Sequence, residues 1–150
     1  MQLTSNAFQQ NEMIPPLHTC DGAGTSPAFA IGGVPEAAQS LVLIMEDPDV
    51  SRAIREDGMW DHWLIWNIDP ATAAIPEGTD PAGVHGTTTS NTTAYVPPCP
   101  PDAEHRYIFR LYALDSLLEL AEGASKAELL AAMEGHIIER AELTGRYNRQ

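Results

Sequence analysis

Three segments rich in apolar and aromatic residues most constrain the fold of this chain. Residues 41–45 form a continuous apolar run that stops at an acidic turn, and residues 62–68 carry aromatic and branched side chains on both parities. Both are too short for globular helices and are typical of strands buried on both faces. The third segment, residues 105–114, presents two alternating side-chain faces. We therefore predict three long interior strands.

The alternation of side chains assigns residues to faces of these strands. An unbroken second strand places four even-numbered side chains on one face: His62, Leu64, Trp66 and Ile68. On the third strand, Arg106 and Arg110 point the same way. If that face is covered, the two guanidinium groups need carboxylate partners, and we predict Glu46 and Asp49 in that role because they follow the first strand.

One strong helix signal stands near the end of the sequence. Ser125 and Glu128 have the spacing of a capping box, in which a hydroxyl and a carboxylate satisfy the free amides of the first turn. Apolar residues then recur at helical spacing, with an interrupting glycine, over Leu130, Met133, Gly135 and Ile137. Because Gly145 looks like a helix terminus, we predict two helical pieces in this region.

The order of these elements favours one fold class. Strands precede a single late helical region, and no alternation of strand and helix occurs, which argues against a Rossmann fold or an α/β barrel. We predict a mainly β protein, an antiparallel β-sandwich with helices at its C-terminal end. The 150 residues match a single domain, 1–150.

The charge balance excludes several partners. The chain has 21 Asp and Glu against 8 Lys and Arg, a formal net charge of −13. We expect no nucleic-acid partner, since that binding needs cations at the phosphates, and no binding to anionic membranes. No run of 18 apolar residues occurs, and the polar start lacks a signal-peptide pattern. These features predict a cytoplasmic protein without integral membrane association.

The two cysteines, Cys20 and Cys99, are too few and too far apart for a zinc knuckle or a C-x-x-C pair. In a reducing cytoplasm we expect free thiols. A disulfide is the alternative. It would close a long loop and stabilise the folded protein by roughly 4 kcal/mol in the chain-entropy model.

Four polar motifs lie at starts or ends of the predicted strands or in the long loop between the second and third strands. They are Asp47-Pro48-Asp49, Trp60-Asp61-His62-Trp63, the proline run over 97–101, and His105-Arg106-Tyr107. If strand ends cluster at one edge of a sandwich, these motifs meet there. A loop as long as residues 70–104 is usually functional. Asp47-Pro48 is a candidate cis peptide, and Asp49 with Arg52 a candidate ion pair.

As an ordered set, these motifs resemble the phosphatidylethanolamine-binding protein family, closest to its bacterial and archaeal Raf-kinase-inhibitor-like branch. The resemblance covers nearly the whole chain. It includes further motifs, which are Thr19-Cys20-Asp21-Gly22 with Ser26-Pro27, Tyr95 ahead of Cys99-Pro100-Pro101, Arg110 to Asp115, and Gly135-His136.

The resemblance implies a large central sheet, a small second sheet and C-terminal helices. It also implies a small pocket for anionic or zwitterionic head groups such as phosphate, carboxylate or phosphorylethanolamine. By similarity, the ligand-binding residues are Asp47, Trp60, His62, Cys99, Pro100, Pro101, His105 and Tyr107. The family further implies a protein partner, a kinase or a protease, and the branch includes homodimers.

The chain departs from the branch pattern at two places. Val50 and Ser51 stand where alanine and proline are usual, and Pro97 stands where the branch has glycine. The loss of that glycine removes a flexible position and an amide donor from the pocket wall.

Hydrogen-bond donors are what such a pocket needs against a net charge of −13. His62, His105, the Tyr107 hydroxyl and amides beside the prolines can donate to an oxyanion, and Asp47 can orient an imidazole or receive an ammonium. His18 and His85 are predicted to be structural or solvated, and His136 is the remaining histidine that could reach the pocket.

Other function classes are weaker. A two-His-plus-carboxylate metal site lacks the H-E-x-x-H spacing, and nucleophilic hydrolysis lacks a G-x-S-x-G elbow, which leaves Cys99 as a thin candidate nucleophile. We predict a non-enzymatic binding protein without metal or cofactor. The main alternative from another class is a pure protein-interaction module with a vestigial pocket.

Overall fold

The computed structural model describes residues 1–149, which form eight strands and one α-helix. The strands are β1 (Gln2–Thr4), β2 (Phe29–Gly32), β3 (Ser40–Asp47), β4 (Trp60–Ile68), β5 (Ala74–Ile75), β6 (Val84–His85), β7 (His105–Leu114) and β8 (Ile137–Tyr147), and the helix is α1 (Lys126–Met133). A short 3₁₀ helix spans Pro16–His18. The small sheet has the order β1-β2-β5 and the large sheet the order β6-β4-β3-β7-β8.

The three predicted interior strands are confirmed as the centre of the large sheet. All residues of β3 are buried, and β3 pairs antiparallel with both β4 and β7. The predicted carboxylate partners of the two arginines are also confirmed, since Arg110 contacts Glu46 and Arg106 binds Asp49 in a two-pronged contact of 2.8 and 2.9 Å. Asp49 is thus not paired with Arg52, which donates instead to the Glu56 carbonyl.

The large sheet separates two apolar layers. One layer fills the space between the two sheets and includes Phe29, Met45, Trp63 and Phe109. The other lies under α1 and includes Ile44, Leu64, Trp66, Leu129 and Met133. The predicted antiparallel β-sandwich with a large and a small sheet is therefore confirmed.

The predicted face of β4 is wrong because two register shifts interrupt the strand. Met45 pairs with Trp63 while Glu46 pairs with Asp61, so His62 is an extra residue on β4. A second shift stands near Asn67, which adopts a φ of 55°. Bulges of this kind redirect side chains. Leu64 and Trp66 consequently face the α1 layer, whereas Ile68 lies between the sheets and His62 contacts Tyr107.

The helical prediction is half right. Ser125 and Glu128 form the capping box, and α1 ends at Met133. The second predicted piece is instead β8, which pairs along the whole of β7. Gly135, with a φ of 81°, turns the chain after α1, and the β-branched Ile137 and Ile138 fit a strand. The long pairing with β7 therefore decides the structure of residues that also match a helical spacing.

Two further expectations fail. Cys20 and Cys99 form a disulfide, so the predicted free thiols are wrong. The peptide bond before Pro48 is trans, since residues 1–149 contain no cis peptide. Among these residues, no helix has the length and apolar character needed to cross a membrane.

Candidate functional site

A cavity of about 260 Å³ opens where three strands of the large sheet meet. Because β3 runs antiparallel to both neighbours, its last residue, Asp47, lies beside the first residues of β4 and β7. The loop between β6 and β7 closes the remaining side. The predicted convergence of strand ends is therefore what the topology produces.

All eight residues expected at the pocket line this cavity: Asp47, Trp60, His62, Cys99, Pro100, Pro101, His105 and Tyr107. Their role in binding remains a prediction. Five further lining residues were not among the predicted ligand-binding residues: Val50, Ile54, Ser90, Val96 and Pro97. Val50 and Pro97 are departures from the branch pattern, and Ser90 and Val96 lie in the long loop 70–104. The sequence therefore indicated the segments that line the cavity but not these individual residues.

His62 reaches the cavity because of the bulge in β4. Its Nδ1 lies 2.7 Å from the carbonyl oxygen of Val96, and the Val96 amide donates back to the His62 carbonyl at 3.0 Å. A carbonyl only accepts, so Nδ1 carries the proton. Burial lowers the pKa of His62 and outweighs the opposing Val96 hydrogen bond and the charge of Asp47. His62 is thus neutral, with a lone pair on Nε2.

His105 has a different state although it lines the same cavity. Its Nδ1 lies 2.6 Å from Asp47 Oδ2 and its Nε2 lies 2.8 Å from Asp102 Oδ1. Burial lowers the pKa of His105, but the hydrogen bonds to these two carboxylates outweigh burial, and the net shift is upward. His105 is therefore an imidazolium whose two N–H groups are both committed to carboxylates.

These two contacts change the expectation for His105. His105 was expected to donate directly to a ligand, but neither ring nitrogen is free among residues 1–149. Asp47 is similarly engaged, because its Oδ1 accepts from the Asp49 amide at 2.8 Å while its Oδ2 meets His105. Asp47 and His105 form a fixed buried pair at the cavity floor.

Tyr107 supplies the free hydroxyl of the site. Its ring packs edge-on against His62, with centroids 5.3 Å apart, and 1% of the residue is exposed. Within residues 1–149 no protein group is hydrogen-bonded to this hydroxyl, which lines the cavity. Burial, followed by the nearby charge of Asp47, raises the pKa of Tyr107, so the hydroxyl stays protonated and can donate.

The remaining wall is the proline-rich segment 97–101, which a disulfide holds in place. Cys99 is bonded to Cys20, and the Cys20 amide donates to the Pro98 carbonyl at 3.0 Å. Because four of the five residues are prolines, only Cys99 has a backbone N–H there. The bonded sulfur of Cys99 also has no thiol to act as a nucleophile.

The rim of the cavity is largely apolar. Ile54, exposed to 56%, and Val50 stand on one side. Trp60 lies beside them and donates from its indole nitrogen to Ser90 at 3.1 Å, while the Arg55 guanidinium lies 5.9 Å from its ring centroid. A ligand with a polar head and an apolar body would place the body here.

The other histidines lie outside the cavity. His18 is buried and bonds the Thr25 carbonyl through Nδ1 at 2.7 Å, and His136 pairs with Asp115 at 2.8 Å on the exposed turn after α1. His136 therefore does not reach the site, contrary to the expectation that it could. Within residues 1–149, no three His, Cys, Asp or Glu side chains are grouped in a way that could hold a metal ion.

Comparisons with known proteins agree with this architecture. The family model described as phosphatidylethanolamine-binding protein matches residues 4–148. A UPF0098 protein of Chlamydia trachomatis serovar D is 50% identical, over 99% of both chains, and one of Methanothermobacter thermautotrophicus is 44% identical, also over 99% of both.

Solved structures give the same result. A putative phosphatidylethanolamine-binding protein homolog of Chlamydia trachomatis superposes with a TM-score of 0.97 at 49% identity, covering 99% of this chain and 97% of that one. The E. coli protein YbcL, described as a new member of the mammalian PEBP family, superposes with a TM-score of 0.88 at 27% identity, covering 99% and 98%. The chain therefore belongs to the phosphatidylethanolamine-binding protein family.

Proposed function

We propose that this protein binds a small molecule through an anionic or zwitterionic head group, such as phosphate, carboxylate or phosphorylethanolamine, and does so without catalysis. The observation that carries the proposal is a pair of polar atoms without a protein partner in one cavity. The Tyr107 hydroxyl and His62 Nε2 have no partner among residues 1–149. Both atoms are accessible from the cavity, so a ligand that takes the place of solvent there gains their hydrogen bonds.

The dimensions favour a head group rather than a whole large ligand. The volume of about 260 Å³ lies just below the usual range of about 300–1,000 Å³ for small-molecule pockets. The apolar rim at Val50 and Ile54 would contact whatever the head group is attached to.

A binding role is also favoured over catalysis by the chemistry of the wall. Cys99 is held in a disulfide, and both carboxylate oxygens of Asp47 are engaged. The sequence offers Cys99 as its candidate nucleophile, and that sulfur is not free.

The proposal includes a second step that rests on the family alone. Occupancy of the cavity would alter contact with a protein partner, for which a kinase or a protease is the family-level expectation. A cytoplasmic location and a homodimer are likewise sequence-based proposals.

A titration tests the binding step. We expect phosphorylethanolamine to give saturable heat with the wild type, and Tyr107→Phe to weaken it about tenfold, because one hydrogen bond to a charged group is lost. His62→Ala should weaken binding at least as much. The control is His18→Gln, which alters a buried histidine outside the cavity.

Two results would contradict the proposal. One is the absence of binding by the wild type of phosphorylethanolamine, inorganic phosphate and acetate. The other is unchanged affinity in both cavity variants, which would favour a pure interaction module with a vestigial pocket.

A further inference from the structure

The charged groups of the cavity do not neutralise an anion. The titratable residues that line it are Asp47, His62, His105 and Tyr107. The imidazolium of His105 lies between Asp47 and Asp102, so this group of three carries a net negative charge. A fully ionised head group would therefore enter a buried site that offers it no uncommitted cation.

Nearby cations outside the cavity are already engaged. At the rim, Arg55 pairs with Asp57 at 3.3 Å and Arg52 donates to the Glu56 carbonyl. Arg106 is bound to Asp49 through two of its nitrogens, and Lys126 lies on the opposite face of the sheet between Glu46 and Asp61. Arg106 and Lys126 thus already have carboxylate partners at 2.6–2.9 Å.

The hydrogen-bond inventory points the same way. Of the four ring nitrogens in the cavity, three are committed, and the fourth, His62 Nε2, is an acceptor because Nδ1 holds the proton against Val96. Donors among the lining residues include the hydroxyls of Tyr107 and Ser90 and the Cys99 amide, and all of these are uncharged. The position beside Nε2 thus requires a ligand atom that carries a hydrogen.

We propose that the cavity binds an acidic head group together with one proton, which is shared between a ligand oxygen and His62 Nε2. This inference rests on the proposed function and narrows it. The favoured ligands are weak acids such as phosphomonoesters, whose last proton has a pKa of about 6 and is therefore readily regained near neutral pH. Sulfate esters are disfavoured because they remain ionised there.

The groups facing His62 support this placement of the proton. Asp47 and Asp61 favour a positive charge on the imidazole, whereas His105 and burial oppose it. Tyr107 contacts the ring edge-on and is itself neutral. In the unliganded protein the effect of burial is the largest, and His62 Nε2 carries no proton. A proton is held at Nε2 only when a bound ligand oxygen shares it.

Two probes of matched shape test the inference. Phenyl phosphate loses its last proton at pH about 6, and phenyl sulfate has none to lose. Calorimetry at pH about 8, in two buffers of different ionisation enthalpy, counts the protons taken up per bound ligand. We expect about one proton for phenyl phosphate, a tenfold rise in its Kd per pH unit above about 6, and at least tenfold weaker binding of phenyl sulfate.

A variant pair locates the proton. His62→Gln places an amide donor near Nε2 that does not titrate, so we expect proton uptake to fall close to zero and the preference for phosphate over sulfate to disappear. His18→Gln, a buried histidine with the same Nδ1-to-carbonyl contact outside the cavity, should keep the wild-type proton count. The wild-type count stands by itself if a variant does not fold.

The outcomes separate this inference from the proposed function. Binding of phenyl phosphate with no proton uptake and with a Kd independent of pH overturns the inference and leaves head-group binding intact. Equal affinity for phenyl sulfate in the wild type also overturns it. No saturable heat with phenyl phosphate, phosphorylethanolamine or acetate at any pH from about 5 to 9 overturns the proposed function itself.

Discussion

The two faces of the large sheet carry similar residues with opposite consequences. Glu46 and Asp47 are neighbours on β3, and Asp61 and His62 are neighbours on β4, yet each pair divides between the faces. Glu46 and Asp61 belong to an ion-pair cluster with Lys126 and Arg110 beside α1. Asp47 and His62 line the cavity. Sequence neighbours thus serve different layers because of strand alternation and one bulge.

The two faces differ in how completely their polar and charged groups are paired. In the ion-pair cluster, Lys126 lies 2.8 Å from Glu46 and 2.6 Å from Asp61, the latter an ion pair without the angle of a hydrogen bond. Arg110 contacts Glu46 and lies 3.0 Å from Glu142. Every carboxylate there has a cation within 3.0 Å. The cavity instead combines empty volume with unpaired atoms, which is what a ligand site needs.

The largest expected effect tests how far the cavity face depends on its disulfide. Cys20→Ser with Cys99→Ser should lower the free energy of unfolding by about 4 kcal/mol, because the bond closes a loop of 79 residues, and should weaken phosphorylethanolamine binding by freeing the wall. Denaturant unfolding with and without reductant measures the first effect. Reductant should leave the double variant unchanged, and a loss below about 1 kcal/mol in the variant would contradict the expectation.

The next prediction breaks the ion-pair cluster alone. Lys126→Met leaves Glu46 with Arg110 but removes the cation that pairs with Asp61 within residues 1–149. It should cost about 2 kcal/mol of unfolding free energy, while head-group affinity changes less than twofold. Adding Asp61→Asn should restore part of the stability. If Lys126→Met weakens ligand binding as much as Tyr107→Phe does, the two faces are not separate as described.

A third prediction uses pH to separate the two cavity histidines. The pKa of His105 is raised in the folded protein, so its stabilising contribution is complete below the ordinary value of about 6.5 and is lost as pH rises through the folded pKa. The pKa of His62 is lowered, so its contribution is present above about 6.5 and is lost as pH falls through the folded pKa.

Melting temperatures measured across pH check these signs. His105→Gln should remove part of the fall in melting temperature at alkaline pH. His62→Gln should remove part of the fall in melting temperature at acid pH. If the melting temperatures of both variants run parallel to that of the wild type at every pH, neither histidine titrates as inferred.

The smallest expected effect lies at the exposed edge of the cavity face. Arg106 is 55% exposed, so Arg106→Gln, which breaks its contact with Asp49, should cost below about 1 kcal/mol and leave head-group affinity unchanged. Thermal unfolding and the phosphorylethanolamine titration measure the two quantities. A loss of affinity beyond tenfold would mean that Arg106 supplies charge to the ligand after all.

The sequence allowed prediction of features that depend on local pattern. Periodicity identified β3, β4 and β7, and the hydroxyl and carboxylate spacing of Ser125 and Glu128 identified the start of α1. Antiparallel order then implied that polar strand ends meet. These features follow from burial and hydrogen bonding within a few residues of each other.

Features set by long-range pairing were missed. The bulge at His62 depends on how β3 and β4 align, and β8 depends on its pairing with β7 over residues that also fit a helical spacing. The disulfide depends on a fold that brings Cys20 to Cys99. The two protonation states of His62 and His105 depend on partners distant in sequence, Val96 and Asp47. No window along the chain contains that information.

A crystal structure of the protein grown with phenyl phosphate at saturating concentration would show directly whether the cavity binds a head group. We expect phosphoryl density in the cavity, with ligand oxygens about 2.5–3.2 Å from both the Tyr107 hydroxyl and His62 Nε2 and the phenyl ring against Val50 and Ile54. A cavity without ligand density, or a phosphoryl group bound only elsewhere on the molecule, would contradict the proposed head-group binding.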